Sequence, residues 1–189
     1  MDALTALFTR KSAAALTEPA PDEGELREMF RAAVRAPDHG AIRPWRFIVF
    51  RGESRADLGA ILKDCARKSD PAATEAALEK AALKPFRAPL VIAVIATVCD
   101  HPKVPAIEQV ISAGAAAQNI MLAAHAMGFA GIWRTGAPCY DESVRGALGV
   151  AGEDQIVGFL YLGSARTVPP LPDCDPDAFV EYWETAGRS

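Results

Sequence analysis

Apolar and polar positions fall into blocks along the chain that predict helices alternating with strands. The longest block runs from Val104 to Gly136. Within it Ile107, Val110, Ile111, Gly114, Met121 and Leu122 keep helical spacing, while Ala113, Ala115, Ala116, Ala117 and Ile120 fill the other faces. A helix that is apolar all round is expected to be buried. Glu108, Gln109, Ser112, Gln118, Asn119 and His125 interrupt the run, which argues against a membrane span. The small residues from Ser112 to Ala117 predict a close helix–helix crossing, of the kind that joins subunits. Gly128 is placed to cap this helix. FAGIW then reads as a strand, and WRTG as a polar, glycine-ended loop suited to carrying chemistry.

Upstream, Leu4, Leu7 and Phe8 predict a short amphipathic helix ending at Arg10-Lys11-Ser12. Asp22 with Glu25 resembles a capping box, and Leu26, Met29, Phe30, Ala33 and Val34 form the apolar face behind it. Pro37 disfavours helical geometry in the residue before it, so this helix ends near Arg35. APDHGAIRP becomes a loop that opens into the strand WRFIVF. Glu53 to Ala66 predicts a third helix with Leu58, Ile61, Leu62 and Cys65 inward, and Pro71 to Leu83 a more exposed fourth. PLVIAVIATV, from Pro89 to Val98, is continuous and rich in β-branched residues, hence a strand buried on both faces. Asp141 caps a short helix carrying Val144 and Leu148, and Gln155 to Gly163 is the last strand. The sum is a sheet sandwiched by helices. No GxGxxG follows the first strand, so a dinucleotide-binding Rossmann fold is not supported. The tail from Arg166 is proline-rich and ends in Phe179, Val180, Tyr182 and Trp183, which predicts docking on a surface.

Composition narrows the function by exclusion. A chain of 189 residues fits one domain, 1–189, with a substantial core. A net charge of -4 gives no general attraction to nucleic acid or to an anionic membrane. Cys65, Cys99, Cys139 and Cys174 are scattered, with no CxxC and no histidine at metal spacing. They read as reduced, structural thiols of a cytoplasmic protein, with no metal expected. The N-terminus carries Asp2 and a short amphipathic run, unlike a signal peptide. There is no GxSxG, no Walker A sequence and no HExxH. His125 reads as a satisfied core or interface histidine and His101 as a solvated one. What remains is three cationic, hydroxyl-bearing turns: Arg10-Lys11-Ser12, Arg35 to His39, and Trp133-Arg134-Thr135. Guanidinium, ammonium and hydroxyl groups together suit a phosphate. Any one of these turns, taken alone, is equally well a solvated loop.

Taken in order they are specific. An early R-[RK]-S, then RAPDHxxxxPWxF, then an Ala-rich helix closing in GFxGIWR-[ST]-G, resembles the nitroreductase family of flavoproteins, and most closely a branch of small members. The resemblance covers nearly the whole chain. It implies an α+β, nitroreductase-like fold with a central, mainly antiparallel sheet in an α/β/α arrangement. It also implies a homodimer with FMN at shared interface sites, reduced by NADH or NADPH. Arg10 and Ser12 match the motif that grips the FMN phosphate, with Lys11 beside the ribityl chain or ring. Arg35, Pro37 and His39 match the loop that the partner subunit lays against the flavin. Trp133, Arg134 and Thr135 match the segment along the ring edge, Thr135 lying near the reactive N5 in a catalytic role. Arg166 is a weaker candidate for the phosphate, and the arm 166–189 is expected to dock on the partner subunit. Two departures stand out: Ala13, Ala14 and Ala15 follow the serine where many members carry another basic residue, and the PW loop lacks the family's usual asparagine pattern. The implied activity is hydride transfer through FMN to a nitroaromatic, quinone or similar acceptor by a ping-pong mechanism. The rivals are specialised flavin chemistry such as flavin breakdown or reductive dehalogenation, and a non-catalytic FMN-binding protein.

Overall fold

The apolar run before residue 98 becomes β3 (Leu90–Ala96), every residue of which is buried. Successive side chains of a strand point to opposite faces, and this strand divides two cores between them. Val91, Ala93 and Ile95 face one core, and Leu90, Ile92 and Val94 face the other. The computed structural model describes residues 1–167, 170–171 and 174–183. Its sheet is antiparallel throughout the named strands: β1 (Leu16–Thr17), β2 (Trp45–Arg51), β3, β4 (Ala130–Arg134) and β5 (Gln155–Ala165). The order is β1-β5-β3-β2. β1 pairs with Ala165 and Ser164, and β4 takes the next stretch of β5, from Gly163 to Phe159.

Helices cover both faces. α2 (Glu23–Ala33) and α5 (Ala106–Ala126) pack on one, through Leu26, Met29, Ala33, Ala116, Ala117 and Ile120. On the other, α3 (Ser54–Ser69) contributes Leu58, Leu62 and Cys65, and α6 (Glu142–Ala147) contributes Val144. α1 (Ala3–Thr9) packs on α5, and α4 (Glu75–Ala82) on α3. The reciprocal capping box at Asp22 and Glu25 is present, and Asp141 accepts from the backbone N–H groups of Ser143 and Val144. This is an α+β, three-layer arrangement: the sandwich that the pattern predicts, with the mainly antiparallel sheet that the resemblance implies.

Two expectations, both about α5, need correction, and one strand goes unforeseen. β1 has no sequence signature, being two residues long. α5 is not buried all round: Ile107 and Ile111, one turn apart, are 62% and 63% exposed, so its outer face is an apolar surface. The small residues lie largely inward, since Ser112, Ala113, Ala116 and Ala117 are buried against their own chain. Tyr182 and Trp183 of the tail stand 85% and 95% exposed on this chain. Residues 168–169, 172–173 and 184–189 of that arm lie outside the described residues.

Candidate functional site

β4 organises the candidate residues. α1 ends at Arg10, whose extended backbone leads Lys11 and Ser12 along the strand. Ser12 forms a parallel bridge with Gly131, and the Ala13 N–H donates to Gly131 O at 3.0 Å. Gly131 itself lies tight against β5, where a Cβ would sit 2.7 Å from Leu162 Cδ2 and 2.9 Å from Tyr161 O. Four residues further along, the strand delivers Thr135, roughly 13 Å from Gly131 at the usual strand rise. Arg10–Ser12 and Thr135 therefore mark the two ends of one extended shelf. The side chains of Arg10, Lys11 and Ser12 make no hydrogen bond or ion pair among the described residues. Arg166, whose N–H donates to Ala15 O at 3.1 Å, lies close to this first end.

Trp133 and Arg134 point to opposite faces, as alternation requires. The indole of Trp133 donates through Nε1 to Val157 O at 3.3 Å. It occupies the space a side chain at Gly158 would need, for a Cβ there would fall 2.1 Å from Nε1. Gly158→Ala is thus expected to displace the indole, lowering stability by about 1–3 kcal/mol as overpacked sites do. Urea unfolding followed by tryptophan fluorescence checks this; an unchanged midpoint and spectrum would refute the packing argument. Arg134 turns the other way, its guanidinium carbon 5.7 Å from the Tyr161 ring centroid. Its Nε is buried without a hydrogen-bond partner among the described residues. It lines a cavity of about 330 Å³ shared with Lys84, Arg87, Thr135 and Tyr161. Lys84 and Arg87 carry no signal in the sequence pattern; only the folded chain brings the turn before β3 to this place.

The second turn lies elsewhere. His39 pairs through Nδ1 with Glu108 Oε2 at 2.7 Å, at the start of α5. Pro37 O accepts from Ser112 Oγ at 2.7 Å, and Arg35 is exposed on a groove beside Ala6, Leu7, Asn119 and Leu122. The first turn meets the far end of the same helix. Thr9 Oγ1 donates to Thr5 O at 2.6 Å and lies 2.8 Å from His125 Nε2. The hydroxyl has one proton, so it accepts from the imidazole, which is thereby satisfied as expected. Burial, then the charges of Arg10 and Lys11, hold His125 below its ordinary value and favour the neutral ring. Glu108 and His125 are 17 helical residues apart, roughly 25 Å at 1.5 Å per residue. One chain therefore does not bring His39 to the Arg10–Ser12 cluster.

Burial pushes the Cys139 thiol up to about 11, so this cysteine beside the loop stays protonated. All four cysteines are free, and no group of three or more metal-ligating side chains occurs among the described residues. No helix among them is long and apolar enough to cross a membrane.

The shelf on β4, its cations and the surrounding α+β fold define a class. Residues 7–164 match the Nitroreductase family, and the chain belongs to it as one of its enzymes. Within the family it falls in the YdjA-type branch. It is 45% identical over 187 residues to YdjA of Escherichia coli strain K12, whose given name places it among NAD(P)H nitroreductases; the match covers 97% of this chain and 100% of that protein. A Haemophilus influenzae protein named for the same class is 41% identical over 165 residues, covering 87% and 89%. The fold also matches solved structures. A nitroreductase-like family protein from Bacillus cereus superposes with a TM-score of 0.83 at 23% identity, over 98% of this chain and 97% of that one. The FMN-dependent nitroreductase NfnB from Mycobacterium smegmatis, solved with NADPH, gives 0.74 at 17% identity over 96% and 98%.

Proposed function

We propose that this protein is an FMN-dependent oxidoreductase that takes hydride from NADH or NADPH and passes it to a nitroaromatic, quinone or similar acceptor. The observation that carries this reading is the shelf itself: unpaired Arg10, Lys11 and Ser12 at one end of β4, and Thr135 beside a cationic cavity at the other. An elongated ligand with a phosphate at one end and a planar, charge-accepting ring at the other fits that layout. The orphaned Arg134 Nε is the kind of buried donor such a ligand would satisfy. FMN, when bound, supplies the hydride-accepting ring; the protein supplies orientation and electrostatics.

In this reading Arg10 and Ser12 hold the terminal phosphate, and Lys11 lies against the ribityl chain or ring. Trp133 and Arg134 support the ring edge. The Thr135 N–H makes no hydrogen bond among the described residues and is free to donate to N5. Arg35, Pro37 and His39 reach the flavin of the other subunit in an isologous homodimer. The exposed Leu4, Leu7 and Phe8 of α1, with Ile107 and Ile111 of α5, provide apolar surface for that interface. The aromatic end of the tail provides more. One open face would receive nicotinamide and acceptor in turn, giving ping-pong kinetics.

Anaerobic mixing of the FMN-loaded protein with NADPH or NADH tests the activity. Bleaching of the visible flavin band is expected, and Thr135→Pro, which removes the amide donor, is expected to slow it at least tenfold. A protein that holds FMN yet is reduced by neither nucleotide is a binder, and the enzymatic reading fails. A folded, FMN-loaded Thr135→Pro that is reduced at the parental rate removes Thr135 from the chemistry.

A further inference from the structure

Near its start α5 carries three polar residues, and each ties down a loop. Gln109, almost wholly buried, accepts from the Cys99 N–H at 3.0 Å and donates to Cys99 O and Val104 O at 2.9 and 3.1 Å. Ser112 Oγ donates to Pro37 O at 2.7 Å, and Glu108 Oε2 meets His39 Nδ1 at 2.7 Å. The loop so held is strained. Ala41 and Arg43 have φ of 53° and 57°, a left-handed backbone that residues with a side chain disfavour. Such conformations persist only where the surroundings over-determine them. Asp38 Oδ2 adds a constraint by accepting the Arg43 N–H at 2.7 Å. Gly40 packs close to the loop that Gln109 fixes, since a Cβ there would lie 3.4 Å from Val104 Cγ2 and 3.9 Å from His101 Cε1.

We propose that Glu108 is the positioning residue for His39: it keeps the proton on Nδ1 and fixes the ring, so that Nε2 is the nitrogen offered to the flavin held by the other subunit, an inference that rests on the shared-site reading above. A carboxylate only accepts hydrogen bonds, so the contact requires Nδ1–H. Nε2 makes no hydrogen bond among the described residues and is left for a ligand. His101 shows the opposite arrangement close by: its Nδ1 accepts from the Lys103 N–H at 3.2 Å, which puts the proton on Nε2. The His39 and Glu108 side chains are 58% and 45% exposed on this chain. A pair so open to water adds little to stability. What it fixes is the direction of the imidazole and which nitrogen carries the proton.

Two measurements test it. Long-range proton–nitrogen correlation spectra of the full-length apoprotein report which ring nitrogen of each histidine is protonated, with His101 as the internal contrast. His39 is expected to carry Nδ1–H in the parent and in Glu108→Gln, whose amide oxygen still accepts, and to revert to Nε2–H in Glu108→Ala. FMN titration of the same proteins is the second. Glu108→Ala is expected to weaken binding about tenfold, the worth of one good hydrogen bond, and Glu108→Gln to restore most of it. In a His39→Ala background Glu108→Ala is expected to cause no further loss, because the two residues act as a unit. A parental His39 protonated on Nε2 alone would overturn the proposal, as would Glu108→Gln binding as weakly as Glu108→Ala. So would an undiminished effect of Glu108→Ala in the His39→Ala background. Parental FMN affinity in His39→Ala, or a parent that takes up no FMN, overturns the shared-site reading together with this one. A weakened His39→Ala beside an unaffected Glu108→Ala overturns this one alone.

Discussion

Activity is expected to return when Arg10→Ala and His39→Ala chains are combined, under conditions where each homodimer is inactive. Arg10 sits by the C-terminal end of α5, through Thr9 and His125, and His39 by its N-terminal end, through Glu108. The separation along the helix is roughly 25 Å. In a shared site, one subunit supplies Arg10 and the other His39. A mixed dimer then has one site carrying both defects and one carrying neither. If each chain built its own site, every site in the mixture would keep one defect. Recovered activity in verified heterodimers, near half that of the parent per dimer, is the expected result. Heterodimers that stay inactive would contradict the shared site.

Loss of the phosphate grip is expected to be the larger effect on binding. Arg10→Ala and Ser12→Ala each remove a charge-assisted contact worth about 1.5–3 kcal/mol, or roughly ten- to a hundred-fold in FMN affinity. Neither change should unfold the protein, because both side chains lack partners among the described residues and Ser12 is exposed. Fluorescence titration of the apoproteins with FMN, beside their melting temperatures, separates binding from stability. Parental affinity in both variants would show that the phosphate lies elsewhere.

Much of the fold was legible because its strongest signals are local. Asp22 and Glu25 specify a helix start on their own, and the continuous apolar run before residue 98 can only be satisfied between two layers. The motif Arg10–Ser12 was likewise legible as a motif. Its placement was not: the bridge from Ser12 to Gly131 joins segments more than a hundred residues apart, and no periodicity encodes it. The same holds for Lys84 and Arg87, which look like ordinary surface cations until the turn carrying them meets β4. Ile107 and Ile111 misled in a different way. Periodicity reports that a face is apolar, not whether its own chain or another covers it, and here its own chain leaves them bare. Gly158 shows a third limit, since nothing near it in sequence says that an indole must occupy its missing side chain.

The central claim is that the Arg10–Ser12 end of the β4 shelf reads a flavin's phosphate. Titrating the apoprotein with FMN and with riboflavin, which differ only in that group, tests it most directly. Two charge-assisted contacts predict FMN binding tighter by roughly a hundred-fold or more. Equal affinity for the two flavins, or binding of neither, would contradict the account.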